Sequence, residues 1–294
     1  MKKKLLLTGA SGFLGYHLLR VFANDWDIYG ITNANEFDFT GAIPVKCDLT
    51  NYIELGNYFD DIEPDAVIHT AAIADANFCE QNKEVSHSVN VEASKNIAGI
   101  CCDFQIPFVF TSTDLVFDGK KGMYTEEDEK NPLSVYGEQK AIAEDEILKI
   151  YPEATVYRLP IMFGYPQASP ENYMHGFIKR LKQGEETTLF VDEYRSICGA
   201  RSISEGIFKL MGKTSGIVHV AGRERLSRYD FGMKVVKVFD LNGGLIKQGS
   251  QKDVVNMAPR PADVSLNINK AMALGFYPMS ADEELERIAT EKYF

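Results

Sequence analysis

Leu5-Leu6-Leu7-Thr8-Gly9-Ala10-Ser11-Gly12-Phe13-Leu14-Gly15 is the stretch that decides the fold. An apolar run of strand length leads into three glycines spaced three apart. An amphipathic helix pattern follows over residues 13–22, with Leu14, Leu18, Leu19 and Phe22 at helical intervals. Strand, tight glycine turn, helix is the arrangement that sets a dinucleotide pyrophosphate on a helix N-terminus. Glycine is needed where a side chain would hold the phosphates off the backbone amides. The spacing is G-x-x-G-x-x-G rather than G-x-G-x-x-G, so the triplet gains its meaning from lying between a first strand and a first helix.

The chain has 294 residues, enough for one large domain or two small ones with a sizeable core. Hydrophobic residues make up 45% and charged residues 25%, the balance of a soluble globular enzyme. Net charge is −11 with no basic block, which argues against nucleic acid or an anionic membrane as partner but leaves room for an anionic small ligand. Cys47, Cys79, Cys101, Cys102 and Cys198 are odd in number and form no C-x-x-C, so they read as buried or half-buried thiols in a reducing compartment. Met1-Lys2-Lys3-Lys4 leads straight into the glycine turn instead of a signal-peptide core, and no run approaches transmembrane length. A cytoplasmic location is expected. The histidines are scattered and Glu126-Glu127 lies in a solvated charged run, so no metal site is expected.

Outward from the glycine turn, residues 27–32 read as a second strand. An acid at its end would bind the ribose 2′-hydroxyl of NAD. Thr32, Asn33 and Ala34 stand there instead, and Glu36 and Asp38 fall further along a loop. Without that carboxylate a 2′-phosphate is not repelled, and the balance leans to NADP(H) over NAD(H). Residues 43–47 form a short third strand ending at Asp48-Leu49; Asp48 either accepts from an adenine amino group or caps the helix that begins near Tyr52. Strand four, 64–69, is followed by Thr70-Ala71-Ala72, small enough for a backbone to approach a ligand. His17 reads as a helix-surface residue and His69 as a packed strand end.

Residues 84–102 read as one long helix with Asn90 in its middle, where intrinsic propensity disfavours it. Strand five, 106–111, runs into Ser112-Thr113-Asp114, a hydroxyl and acid cluster at the end where ligands bind open α/β sheets. Pro132 precedes a helix reaching about Ile150 that carries Tyr136 and Lys140 four residues apart, hence on one face. Strand six is 155–159. Helices over 173–181, 203–211, 228–239 and 281–290 and strands over 187–191 and 217–220 complete the pattern, with breaks at Pro166, Pro170 and Gly176. The expected fold is α/β: a Rossmann-like doubly wound parallel sheet with a smaller C-terminal substrate-binding lobe. The expected division is 1–165 with 186–221 returning to the sheet, and a lobe of 166–185 and 222–294.

In this order, Thr8-Gly9-x-x-Gly12-x-x-Gly15, Asp48-Leu49, the small run after strand four, Asn90, Ser112-Thr113-Asp114 and Tyr136-x-x-x-Lys140 resemble the extended short-chain dehydrogenases/reductases. Ser112-Thr113-Asp114-Leu115-Val116-Phe117-Asp118-Gly119, Val135-Tyr136-Gly137-Glu138-Gln139-Lys140 and Arg260-Pro261 resemble segments of the dTDP-4-dehydrorhamnose reductase family within that superfamily. Three departures concern the sugar, one of them the loose match of Asp192-Glu193-Tyr194-Arg195-Ser196 to the family's stretch there. Leu115 stands where those reductases have tyrosine, and Ile161 where they have a tryptophan near the sugar. Leu115 also replaces the glutamate that sugar-nucleotide dehydratases carry after Thr-Asp, which argues against dehydration.

The resemblance implies a nicotinamide cofactor on Gly9, Ser11, Gly12, Phe13, Leu14, Gly15, Thr32, Asn33, Asp48, Leu49, Ala71, Ala72, Thr111, Tyr136 and Lys140. It implies Tyr136 as proton donor, Lys140 as its electrostatic partner and a bond to the nicotinamide ribose, Thr113 on the carbonyl oxygen, Asp114 orienting the sugar or assisting proton flow, and Asn90 supporting a water relay. A nucleotide-linked 4-keto-6-deoxysugar is the implied substrate, on Thr113, Asp114 and Tyr136, with Arg195 and Arg260 on its pyrophosphate. Tyr165 and Tyr173 could stack on a base, though core packing is the better reading. A homodimer is possible. Two other readings stay open: an epimerase or carbonyl reductase of the same class, and a non-catalytic subunit, since the regulatory subunit of methionine adenosyltransferase resembles the same family.

Overall fold

The structure, a computed structural model, describes residues 2–33, 39–164, 173–254 and 258–291. Ala34, Glu36, Asp38, Tyr165, Pro166 and Pro170 lie outside the described residues. The first part of the chain runs β1 (Lys3–Thr8), α1 (Phe13–Phe22), β2 (Trp26–Thr32), β3 (Ala42–Lys46), α2 (Tyr52–Ile62), β4 (Ala66–His69), α3 (Ala76–Gln81), α4 (Lys83–His87), a π-helical turn (Ser88–Glu92), α5 (Ala93–Phe104), β5 (Phe108–Thr113), α6 (Val135–Ile150) and β6 (Thr155–Leu159). There follow β7 (Met162–Phe163), α7 (Tyr173–Lys182), β8 (Thr187–Phe190), β9 (Tyr194–Arg195), β10 (Cys198–Gly199), α8 (Ala200–Leu210), β11 (Gly216–His219), β12 (Leu226–Ser227), α9 (Arg228–Val238), β13 (Ile246–Gly249), α10 (Asn269–Ala273) and α11 (Ala281–Thr290).

Seven strands form one parallel sheet in the order β11-β6-β5-β4-β1-β2-β3. The order reverses between β1 and β4, which opens a crevice at the carboxyl ends of those strands. Strand β1 shows why the sheet is covered on both faces. Leu5 and Leu7 enter one core with Leu14, Leu18 and Ile203, while Leu6 enters the opposite core with Leu55, Phe59 and Ile97. All three leucines are fully buried, each worth about 1.5–3 kcal/mol of apolar burial. Doubly covered parallel strands need such unbroken apolar runs.

The doubly wound parallel fold matches the expectation from sequence, and two placements in the division differ. Strand β8 does not return to the large sheet; it pairs in parallel with β13 inside a separate core that holds Phe177, Leu189, Phe231 and Leu285. The return begins with α8, which packs on α1, and ends with β11 beside β6. Ala271 and Phe276, expected in the lobe, pack into the core on the Leu5 face of the sheet. Apolar strand patterns do not name their partner, so these pairings are set by tertiary contacts.

His17 is 5% exposed, with its ring edge-on to Phe13 and Tyr16, which corrects its reading as a surface residue. His69 is buried, as expected. Four cysteines are buried, Cys102 is half-buried, and all are free thiols. Among the described residues no helix is long and apolar enough to cross a membrane.

Candidate active site

A cleft of about 1030 Å³ opens along the carboxyl ends of β1, β2, β4, β5 and β6. One end is the glycine turn. Gly9 has φ +69°, and a Cβ there would stand 2.8 Å from the amide nitrogen of Ala71. A Cβ on Gly15 would run into the carbonyl oxygen of Gly9. Helix α1 begins directly behind this turn with no acid in its first turn and no side-chain cap on Gly12. The turn therefore presents the positive end of a helix dipole, uncovered by any side chain of its glycines, a fit for a dinucleotide pyrophosphate.

Every residue that the sequence pattern marked for the cofactor lies on the wall of this cleft: the Gly9–Gly15 turn with Ser11, Phe13 and Leu14, then Thr32 and Asn33, Asp48 and Leu49, Ala71 and Ala72, Thr111, and Tyr136 and Lys140. The two readings of Asp48 are separated. Asn51 caps α2 by accepting from the amide of Glu54, whereas Asp48 accepts from the amide and hydroxyl of Thr50.

The other end of the cleft is built by α6. Its cap, Ser134, accepts from the amide of Gly137 at 3.2 Å, and Glu80 of α3 accepts from the amide of Val135 at 2.9 Å. A Cβ on Gly137 would collide with the carbonyl oxygen of Leu115. This glycine lets the helix dock against the turn after β5, and so brings Tyr136 and Lys140 to the end of that strand. Strand β5 itself reaches Thr113, so Ser112 and Thr113 belong to the strand and not to a turn after it. Thr113, Tyr136 and Lys140 share the cleft wall.

Burial sets the protonation of this group. It pushes the Tyr136 phenol above its ordinary value, and the negative charge of Asp114 adds to the rise. Tyr136 is therefore a protonated hydroxyl at neutral pH. Burial pulls Lys140 down to about 7, against the pull of Glu144, and its ammonium lies 3.9 Å from the centre of the Phe110 ring.

Four expected site residues stand elsewhere. Asp114 lies behind Thr113, 2% exposed, accepting from its hydroxyl at 3.3 Å and facing Arg195 at 3.9 Å; burial raises its carboxyl to about 6. Arg195 is equally buried. It donates to the carbonyls of Tyr194, Ala262 and Pro261 and pairs with Glu193 at 3.3 Å. Both of its Nη atoms are turned to the chain's own carbonyls and it does not line the cleft, which corrects its reading as a pyrophosphate contact. Arg260 is exposed and does not line the cleft. Asn90 is fully buried in the π-helical turn, so the single long helix expected over 84–102 is interrupted. Its amide bonds to Ile73 and Gln139.

The sequence reading missed Ile73, Val89, Pro160 and Met162, which line the cleft together with Ser112. The rule that ligands sit beyond the strand ends marks the segment after β6. Tyr173 lines the cleft too, with the Arg228 guanidinium 3.5 Å from its ring centre. It is a wall residue and not core packing alone.

A glycine turn under a helix N-terminus and a Tyr-Lys pair over the central strand ends, on one doubly wound sheet, define an oxidoreductase of the extended short-chain dehydrogenase/reductase class. Within it, the chain belongs to the family described as the RmlD substrate binding domain, which it matches over residues 3–293. It is 30% identical over 268 residues to the probable low-salt glycan biosynthesis reductase Agl14 of Haloferax volcanii, covering 90% of this chain and 89% of that one. Methionine adenosyltransferase 2 subunit beta of Danio rerio is 27% identical over 286 residues, covering 93% of this chain and 85% of the other. The crystal structure of a hypothetical dTDP-4-dehydrorhamnose reductase from Sulfolobus tokodaii superposes with a TM-score of 0.84 at 32% identity, over 96% of this chain and 98% of that one. The dTDP-4-dehydrorhamnose reductase of Bacillus anthracis, solved with NADP, shares the fold with a TM-score of 0.87 at 24% identity, over 99% and 100% of the two chains.

Proposed function

We propose that the protein reduces the keto group of a nucleotide-linked 4-keto-6-deoxysugar of the dTDP-4-dehydrorhamnose kind, with NADPH. The observation that carries this reading is the presence of Thr113, Tyr136 and Lys140 on the wall of the same cleft as the glycine turn. The Gly9–Gly15 turn and the first turn of α1 would hold the pyrophosphate, and Thr32 and Asn33 would meet the adenosine ribose. Neither carries a negative charge, which favours the 2′-phosphate of NADPH. The nicotinamide, when bound, supplies the hydride.

The chain's own residues handle the proton. With substrate bound, the Thr113 hydroxyl would turn from Asp114, to which it donates at 3.3 Å, and hold the carbonyl oxygen. Tyr136, kept protonated by burial and by Asp114, gives its proton to that oxygen as negative charge develops there. Lys140, held at the edge of ionisation near neutral pH, steadies the phenolate left behind. Ile161, on the cleft wall, offers an apolar face to the sugar. Asp114 acts through Thr113 and the field at Tyr136, from behind the wall.

The test is NADPH oxidation at 340 nm with dTDP-4-dehydrorhamnose, run beside NADH and beside Tyr136→Phe. Turnover with NADPH that is lost in the variant is expected. The likeness to methionine adenosyltransferase 2 subunit beta supplies the second reading, a non-catalytic subunit of the same fold. NADPH binding without turnover, together with a stable complex with another protein, would favour it.

A further inference from the structure

Gln139 precedes Lys140 and takes no part in the chemistry above, yet it is only 3% exposed. Its amide is fully used. Oε1 accepts from Asn90 Nδ2 at 2.9 Å, and Nε2 donates to Ser86 Oγ at 2.8 Å and to the carbonyl of Lys83 at 3.2 Å. Tyr136, Gln139 and Lys140 stand at i, i+3 and i+4, so the three side chains share one side of α6.

Asn90, its partner, grips both backbone groups of a single residue. Oδ1 accepts from the amide of Ile73 at 2.8 Å, and Nδ2 donates to the carbonyl of Ile73 at 3.0 Å. Ile73 lies on the loop after β4 and lines the cleft. The π-helical turn over Ser88–Glu92 carries Asn90 to where it reaches Ile73 and Gln139 together.

The network continues toward the glycine turn with one assignable direction. Thr8 Oγ1 accepts from the amides of Thr70 and Ala71, both at 3.2 Å, so its hydrogen goes to His69 Nδ1 at 2.6 Å. His69 Nε2 then donates to Ser94 Oγ at 2.9 Å, and the Ser94 hydroxyl donates to the carbonyl of Asn90 at 2.9 Å. Burial and the charge of Lys140 hold His69 at about 3, which keeps the imidazole neutral as this ordering requires. The β1 end, the loop after β4, the π turn and α6 are thus joined by one buried chain of hydrogen bonds.

We propose that Gln139 is a positioning residue: through Asn90 it locks the Tyr136–Lys140 side of α6 to the Ile73 backbone, setting the distance between the proton-donating group and the cofactor loop. Small errors in such a distance are expensive in rate, because hydride and proton must move in one aligned geometry. The consequence for turnover rests on the reductase reading; the consequence for Ile73 does not.

The test compares wild type with Gln139→Met, which removes all three bonds at similar volume, and Gln139→Glu, which keeps an acceptor for Asn90. Hydrogen exchange of the Ile73 amide and steady-state kinetics are measured on each. In Gln139→Met, Ile73 exchange is expected to quicken about tenfold while core strand amides such as Val67 and Ile68 stay protected. The same variant is expected to lose about tenfold in kcat with KM for the sugar unchanged. Gln139→Glu, whose second oxygen meets the Lys83 carbonyl to which Nε2 donates, is expected to restore the Ile73 protection only in part.

Unchanged Ile73 exchange in Gln139→Met would overturn the proposal. So would a rise shared by every core amide. If the wild type itself shows no turnover, the reductase reading fails and the Ile73 exchange still decides the role of Gln139. If Gln139→Met does not fold, Ser86→Ala, which frees one anchor of the same amide, is measured in the same way, and an unchanged Ile73 there overturns the proposal.

Discussion

Glu144→Gln tests how α6 is anchored. Glu144 on α6 and Arg158 on β6 form a bidentate pair, Nε to Oε1 at 3.0 Å and Nη2 to Oε2 at 2.8 Å. Their side chains are 0% and 1% exposed. The other neighbours of the guanidinium are the Phe117 ring, 4.9 Å from Cζ, and His219, held neutral by burial and the Arg158 charge at about 3. A glutamine keeps the shape and removes the one anion paired with Arg158 among the described residues. Breaking a buried pair from one side costs about 3–5 kcal/mol, because the remaining charge is left uncompensated. Against a total stability of about 5–15 kcal/mol, that is a large share, and it corresponds to a Tm lower by on the order of 10 °C. The assay is urea unfolding followed by far-ultraviolet circular dichroism, comparing midpoints at matched slope. The double variant Glu144→Leu with Arg158→Met removes both charges and should recover most of the loss. A single-variant cost below about 1 kcal/mol, or a double variant no more stable than the single, would refute the reasoning.

Three further outcomes are expected. Gly15→Ala forces a methyl against the Gly9 carbonyl, so it should cost about 1–3 kcal/mol by overpacking and weaken NADPH binding, read by quenching of Trp26 fluorescence or by calorimetry. Lys140 has a folded pKa of about 7, below its ordinary value. Between about 7 and 10.4 the unfolded chain therefore binds more protons, and stability should climb as pH rises through that window; Lys140→Met should flatten the climb in Tm-versus-pH curves. Asp114 is shifted the other way, up to about 6. Its contribution is full below the unfolded value of about 4 and is lost as pH rises through about 6, so Asp114→Asn should remove a fall in Tm over that interval.

The first half of the sheet was legible because its signals are local. The apolar run of β1, the glycines behind it and the helical spacing of Leu14, Leu18 and Phe22 each follow from neighbours a few residues away. The expected strands fell within a residue or two of those observed, and the cofactor candidates converged on one cleft because strand ends in a doubly wound sheet share an edge. What stayed hidden depends on distant partners. The direction of the Arg195 guanidinium is set by carbonyls at 261 and 262. The π turn at Asn90 is tied to Ile73 and Gln139, and no periodicity announces it. Strands β8 and β11 look alike as apolar runs and differ only in which strand they meet. Gly137 was visible in the sequence, between a tyrosine and a lysine on one helix. The contact with Leu115 that demands it was not.

The pairing of β11 with β6 has a bearing on how the molecule can be divided. A fragment ending at Leu159 would keep the glycine turn and the Tyr-Lys pair but expose the whole edge of β6, where Val156 and Tyr157 are now fully covered; naked apolar edges invite pairing with other chains. The cofactor half is therefore not an autonomous module. The β8–β13 ribbon and α9 share a core of their own and add no strand to the seven-stranded sheet, so a cut at Leu159 bares the sheet edge without touching the packing of that second core.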